Sequence, residues 1–153
     1  MRRPLRYSRS ATAVQSMGRS TMTTTTTAAE REANKATVLA FYEAGLNRKD
    51  FDAAARLIGD RYVQHNPRIA DGIEGFRGFV DTIRAEFPDL RAEVKGLYAD
   101  GDRVIAHVHG VRVPGQAGTA IVDIFRFENG KIVEHWDVMQ PIPDTAANPN
   151  GMF

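Results

Sequence analysis

A chain of 153 residues, 42% hydrophobic and 25% charged, has room for one globular core and too little for two comfortable ones. It contains no cysteine, which excludes disulfides, cysteine-ligated zinc and a thiol nucleophile and fits a cytoplasmic protein, and no apolar run nears the roughly 18 residues that cross a membrane. The net charge of +1 is uneven: Arg2, Arg3, Arg6, Arg9 and Arg19 sit in a head without acids, so the rest of the chain is mildly acidic, which argues against nucleic acid as a partner.

The basic head has no apolar segment of signal-peptide length, so a secretory signal is not expected; an organellar presequence is the alternative to a plain disordered extension. With the threonine run that follows, "MTTTTTAAE", residues 1–29 read as a polar leader, 30–145 as the folded domain and 146–153 as a tail. Val38, Leu39, Phe41, Tyr42 and Leu46 recur at helical spacing. "DFDAAARLIGD" predicts a short second helix bearing Phe51, Ala54, Leu57 and Ile58 and stopped by Gly59. "RYVQHNP" is a brief extended piece ended by Pro67, and "GIEGFRGFVDTIRAEFPD" a third helix with Ile73, Phe76, Phe79, Val80, Ile83 and Phe87 on its apolar side. From residue 90 the period becomes two, and "LRAEVKGLYAD", "DRVIAHVHGVRV", "TAIVDIFRF" and "KIVEHWDVMQ" read as four strands. Helices followed by a meander give an α+β class, with helices on one face of a curved, mostly antiparallel sheet.

Turn lengths decide which polar side chains share a face, because a one-residue slip turns every side chain over. A three-residue "ENG" loop pairs Phe127 with Lys131 and so Asp123 with His135; a two-residue Asn129-Gly130 turn pairs Asp123 with Trp136 and breaks the constellation. A five-residue loop from Pro114 to Gly118 pairs Val113 with Thr119 and sets His109 opposite Asp123. The first and last of these put His109, Asp123 and His135 in one row, with His107 and Asp137 one step away on the same face. Ile105, Val111, Ile121, Phe125, Val133 and Met139 then form an apolar wall around them.

A carboxylate between imidazoles fixes a tautomer and stabilises the charged ring, while a second carboxylate in an apolar pocket is placed to take and return a proton. Taken singly, each group has a plainer reading: a surface histidine, an Asp137 paired with Arg112 or Arg126, a Trp136 in the core or a dimer interface, an Asn66-Pro67 turn. Pro67 holds Asn66 extended, which would aim Asn66 or His65 into a cavity. His107-x-His109 with His135 and Asp123 is also a candidate metal set.

The element order, "YVQHNP", and the ending "VDIFRFENGKIVEHWDVMQPIP" resemble the SnoaL-like polyketide cyclases of the NTF2-like superfamily, over about residues 30–145. Within them, the chain is most similar to the branch named for SnoaL-like aldol condensation. The resemblance implies an NTF2-like cone enclosing a helix-lined pocket and a homodimer formed through the outer sheet face. It also implies acid/base catalysis without metal or cofactor on a small hydrophobic carbonyl compound. The family's last-strand aspartate, the acid/base of an intramolecular aldol closure, corresponds to Asp137. Its polar partner on the preceding strand corresponds to Asp123, where the cyclases carry histidine, and the polar residue before the proline to Asn66. That alignment needs Asp123 and Asp137 on one face and favours the three-residue turn.

The expectation is therefore that Asp137 removes a proton α to a carbonyl. His135 or His109, positioned by Asp123, would donate to the enolate oxygen, and His65, Asn66, His107, Tyr62, Phe125 and Met139 would bind the substrate. Isomerisation and dehydration begin with the same proton abstraction. A non-catalytic binding or oligomerisation module and a His/Asp metal enzyme are the alternatives.

Overall fold

The computed structural model describes residues 26–153; the arginine-rich head and most of the threonine run lie outside them, as does the greater part of the expected leader. Thr27 caps the first helix, α1 (Ala28–Phe41), by accepting from the Glu30 amide while the Glu30 carboxylate accepts from Thr27 N–H. The last threonine of the run thus belongs to the fold. α1 continues into a wider π-helical segment, Tyr42–Asn47, and a short α2 (Phe51–Ala55) follows, capped by Asp50.

The second helix is shorter than its sequence suggests. Ile58 opens β1 (Ile58–Gln64), and Gly59 lies inside that strand, where a Cβ would come within 2.9 Å of Val133 Cγ1. Close approach of the β1 backbone to the Val133 side chain, not helix termination, is what the glycine serves. α3 (Gly72–Glu86) buries Phe76, Val80 and Ile83 and leaves Ile73 at the surface. The four expected strands follow: β2 (Arg91–Asp100), β3 (Arg103–Val111), β4 (Thr119–Glu128) and β5 (Lys131–Pro141).

The five strands lie in the order β1-β5-β4-β3-β2, with β1 parallel to β5 and the other pairs antiparallel. Bulges in β2 and β5 and a register break in β1 bend the sheet around the helices. The core is the seam between them, with Val38, Phe41, Phe76 and Val80 meeting Val104, Val108, Phe125 and Ile132. This is the open α+β NTF2-like cone.

Two registers differ from expectation, with opposite consequences. At the β4–β5 hairpin the two-residue Asn129-Gly130 turn forms, with both residues at positive φ and Glu128 paired with Lys131. Val133 then bulges, so Arg126 pairs with Glu134 and Asp123 with Asp137. The extra residue cancels the shift, and Asp123, His135 and Asp137 share the inner face after all. Asp123 opposes Asp137, while His135 opposes Phe125.

At β3–β4 no such compensation occurs. Gly110 pairs with Thr119, so the connection is longer than the expected five-residue loop and His109 lies opposite Ala120. The inner face of β3 is Val104, Ala106 and Val108, all fully buried, and the expected row of Ile105, His107, His109 and Val111 is on the other side. Burying each valine is worth about 1.5–3 kcal/mol. Turning unpartnered imidazoles toward the helices instead would cost about 1–3 kcal/mol apiece. On the outer face His109 Nε2 lies 2.8 Å from the Ala117 carbonyl and closes the long loop.

Candidate active site

Between α3, the π-helical segment and the inner face of the sheet lies a cavity of about 320 Å³. Phe41, Phe76, Phe79, Ile83, Phe87 and Ile121 give it apolar walls, and six of its polar residues form one hydrogen-bonded cluster. The strand-like alternation of β1 delivers three of them, Tyr62, Gln64 and Asn66, at i, i+2 and i+4. β4 delivers Asp123, and β5 delivers His135 and Asp137.

The turn after β1 sets these groups in order. Asn66 N–H donates to Gln64 Oε1 at 2.8 Å, and Arg68 N–H donates to Asn66 Oδ1 at 2.8 Å. A backbone N–H can only donate, so both side-chain amides have one possible orientation. Gln64 Nε2 therefore donates to the Tyr62 hydroxyl oxygen at 3.1 Å, and Asn66 Nδ2 to Asp137 Oδ2 at 2.6 Å. No described residue donates to Asp137 Oδ1.

The same reasoning fixes the imidazole. His135 Nδ1 is 2.9 Å from Gln64 Oε1, an acceptor, so Nδ1 carries a proton. Nε2 is 2.9 Å from Asp123 Oδ1, and that contact needs a further proton of its own. The Tyr42 hydroxyl donates to Asp123 Oδ2. Asp123 and His135, 6% and 8% exposed, thus spend their polar atoms on one another and on Tyr42 and Gln64. Asp137 is half-buried, at the junction between the cavity and a shallower depression outside it.

Burial, followed by the nearby Asp123 carboxylate, pushes the hydroxyls of Tyr42 and Tyr62 well above the ordinary tyrosine range. Both are protonated donors at neutral pH. Tyr42 has an acceptor in Asp123, whereas Tyr62 accepts from Gln64 and has its own O–H proton left to give.

Of the residues singled out in the sequence, Asp123, His135, Asp137, Asn66, Tyr62, Phe125 and Met139 line this cavity. His65, His107 and His109 do not. His65 stacks on Trp136, with ring centroids 4.6 Å apart, and contacts Glu134 at 2.9 Å, because β1 alternation turns it away from its neighbours Gln64 and Asn66. His107 and His109 lie beneath Phe153, at 5.1 and 4.8 Å between ring centroids. The expected metal set of His107, His109, His135 and Asp123 is therefore split across two faces. Asp123, His135 and Asp137 instead offer ligand atoms within 4.8 Å of one another. Gln64 and Tyr42 escaped the sequence reading: Gln64 shares the inward parity of Tyr62 and Asn66, and Tyr42, which opens the π-helical segment, continues the apolar spacing of α1 with a polar tip.

Three solved structures illustrate what the chain is similar to. AclR from Streptomyces galilaeus, provisionally described as a hydroxylase, shares 27% identity at a TM-score of 0.61 over 72% of this chain and 90% of its own. TsrD from Streptomyces laurentii shares 23% at 0.61, over 71% and 89%. A protein of Acidithiobacillus ferrooxidans provisionally described as a polyketide cyclase shares 22% at 0.60, over 70% and 87%. A comparison with curated proteins gives no match. The family model for SnoaL-like polyketide cyclase matches residues 36–144, which contain every group of the cavity described above. The chain belongs to the SnoaL-like polyketide cyclase family, and that membership supports a cyclase- or isomerase-type role.

Proposed function

We propose that the cavity houses an acid/base enzyme acting α to a carbonyl, of the aldol condensation or cyclisation kind, on a small hydrophobic carbonyl compound. The observation that carries this reading is Asp137. Its carboxylate is held through one oxygen by Asn66 Nδ2, with the other oxygen left free at the edge of an apolar cavity. A base in such a place is desolvated on one side and oriented on the other.

Asp137 takes the proton from the α-carbon, and the electron pair moves onto the carbonyl oxygen as an enolate. Tyr62 O–H donates to that oxygen. The enolate carbon then attacks a second carbonyl of the same molecule, one C–C bond forms, and the resulting alkoxide takes the proton back from Asp137. Asp123, His135 and Gln64 act as positioning residues: the chain of hydrogen bonds ending at the Tyr62 oxygen polarises its O–H. Catalytic donation thus passes from His135 or His109, expected from the sequence, to Tyr62.

The test is α-proton exchange in D₂O, followed by NMR on a panel of β-dicarbonyl and polyketide-like compounds, with wild type, Asp137→Asn and chelator-treated protein. Exchange that survives chelation and falls by about 10²–10⁴ in the variant is the expected result. Undiminished exchange in Asp137→Asn refutes the assignment. The proximity of Asp123, His135 and Asp137 supports a second reading, a bound cation. Exchange lost on chelation and restored by added zinc would favour it, although the direct contact between His135 Nε2 and Asp123 Oδ1 would first have to open to admit the ion. Ligand binding without exchange on any compound would favour a non-catalytic module.

A further inference from the structure

The outer depression, of about 340 Å³, is lined by Asn66, Pro67, Thr119, Asp137, Met139 and Pro141 and by two arginines, Arg68 and Arg112. Both arginines also line the inner cavity, so they stand where one volume opens into the other. They come from unrelated parts of the chain, Arg68 from the turn after β1 and Arg112 from the connection after β3. Arg68 is fixed at its backbone by Asn66 Oδ1, and the Arg112 guanidinium lies 5.3 Å from the Phe87 ring at the cavity wall.

Among the described residues no carboxylate pairs with either guanidinium. Arg77, Arg84, Arg103 and Arg126 each have an acidic partner within 3.2 Å, and what sets Arg68 and Arg112 apart from the other arginines without one is their place at a pocket mouth. Only Glu86 and Asp137 supply acid along the rim and cavity, besides the committed Asp123. Two exposed guanidiniums without an acidic partner at a pocket mouth keep their N–H donors available to an incoming anion. A guanidinium also presents paired N–H groups in the geometry that a carboxylate accepts.

We propose that the substrate of this pocket is a free carboxylic acid, its carboxylate held at the rim by Arg68 and Arg112 and its apolar carbonyl-bearing body in the inner cavity. The inference deepens the acid/base reading above and rests on it for the word substrate; the anion subsite itself stands on the two arginines. Asp137 lines both volumes, so such a compound lies with its acidic C–H between the charged end and the apolar body, beside the free carboxylate oxygen.

The experiment compares anthraquinone-2-carboxylate with the isosteric, neutral anthraquinone-2-carboxamide by isothermal titration of the full chain, at low salt and at 0.5 M salt. The expected result is a preference of about tenfold for the acid, shrinking with salt. Arg68→Gln and Arg112→Gln should each reduce it, and the double variant should bind the acid no better than the amide. Arg61→Gln, which removes the same charge from an exposed site on β1 outside both volumes, should retain the preference. An acid bound no tighter than the amide, a preference that persists in the double variant, or failure of the acid to bind at all would each overturn the proposal. Exchange on neutral β-dicarbonyl compounds reads the Asp137 chemistry separately, so loss of either result leaves the other measurable.

Discussion

Gln64 has more consequence for the site than its bland chemistry suggests. Its oxygen accepts from Asn66 N–H and from His135 Nδ1–H, and its nitrogen donates to the hydroxyl of Tyr62. Gln64→Leu removes all three contacts at nearly constant volume. It should lower turnover with little change in KM, and ¹⁵N NMR should show His135 losing its defined Nδ1–H signal. An unaltered imidazole spectrum would refute the assigned tautomer. Tyr42→Phe removes the donor to a buried carboxylate and should cost about 1.5–3 kcal/mol in urea unfolding, the range for hydrogen bonds to charged groups. The two aspartates were legible in the sequence because the expected three-residue turn and the resemblance to the cyclases both set them on one face, and the bulge at Val133 keeps that parity although the turn is shorter. Gln64 and Tyr42 were not, since their roles depend on a turn and on a helix–sheet distance that no local pattern encodes. His65 was misjudged for the opposite reason: proximity to Asn66 in sequence means opposite faces in a strand.

At the scale of elements, periodicity revealed three helices and four strands because each buries one continuous apolar face. It could not reveal which face of β3 is inside. Val104, Ala106 and Val108 alternate with Ile105, His107 and His109, and both sets contain apolar residues. Only the competition for burial against the helices decides. The β4–β5 hairpin shows the complementary case, in which a wrong turn length and an unforeseen bulge at Val133 leave the right residues inside. Bulges are invisible to a count of alternation because they consist of one residue that breaks it. A further element depends on a glycine: at Gly75, in the first turn of α3, a Cβ would overlap the Ala70 backbone carbonyl. Gly75→Ala should therefore push away the loop that carries Arg68. The expected cost is about 2 kcal/mol or more, seen as a lower urea midpoint, together with weaker binding of the anthraquinone acid. A fully stable variant would show that the loop yields freely.

For the molecule as a whole, Tyr42 and Tyr62 link folding to alkaline pH. Both hydroxyls are raised above their unfolded value of about 10, first by burial and then by Asp123. As pH passes 10, the unfolded chain releases these protons while the folded one retains them. The stability they contribute is complete below about pH 10 and is lost as pH rises above it. Urea midpoints from pH 8 to 11.5 should be level and then fall, and the Tyr42→Phe, Tyr62→Phe double variant should fall less steeply. Equal slopes would deny the two tyrosines their buried, protonated state. The α+β class was readable from element order, since helices that precede a long meander have one sheet face to cover, while the cone was implied by the resemblance to the cyclases. The parallel pairing of β1 with β5 was not, because nothing in "RYVQHNP" names its partner.

The two backbone N–H groups that clamp the amides of Gln64 and Asn66 also have a use outside catalysis. Each is a single spectroscopic nucleus wired to one half of the site: Asn66 N–H through Gln64 to His135, Arg68 N–H through the Asn66 side chain to Asp137. Their resonances and their rates of deuterium uptake form a two-channel gauge of occupancy that needs no turnover. A compound that engages Asp137 alone should move the Arg68 signal first, and one that disturbs His135 should move that of Asn66.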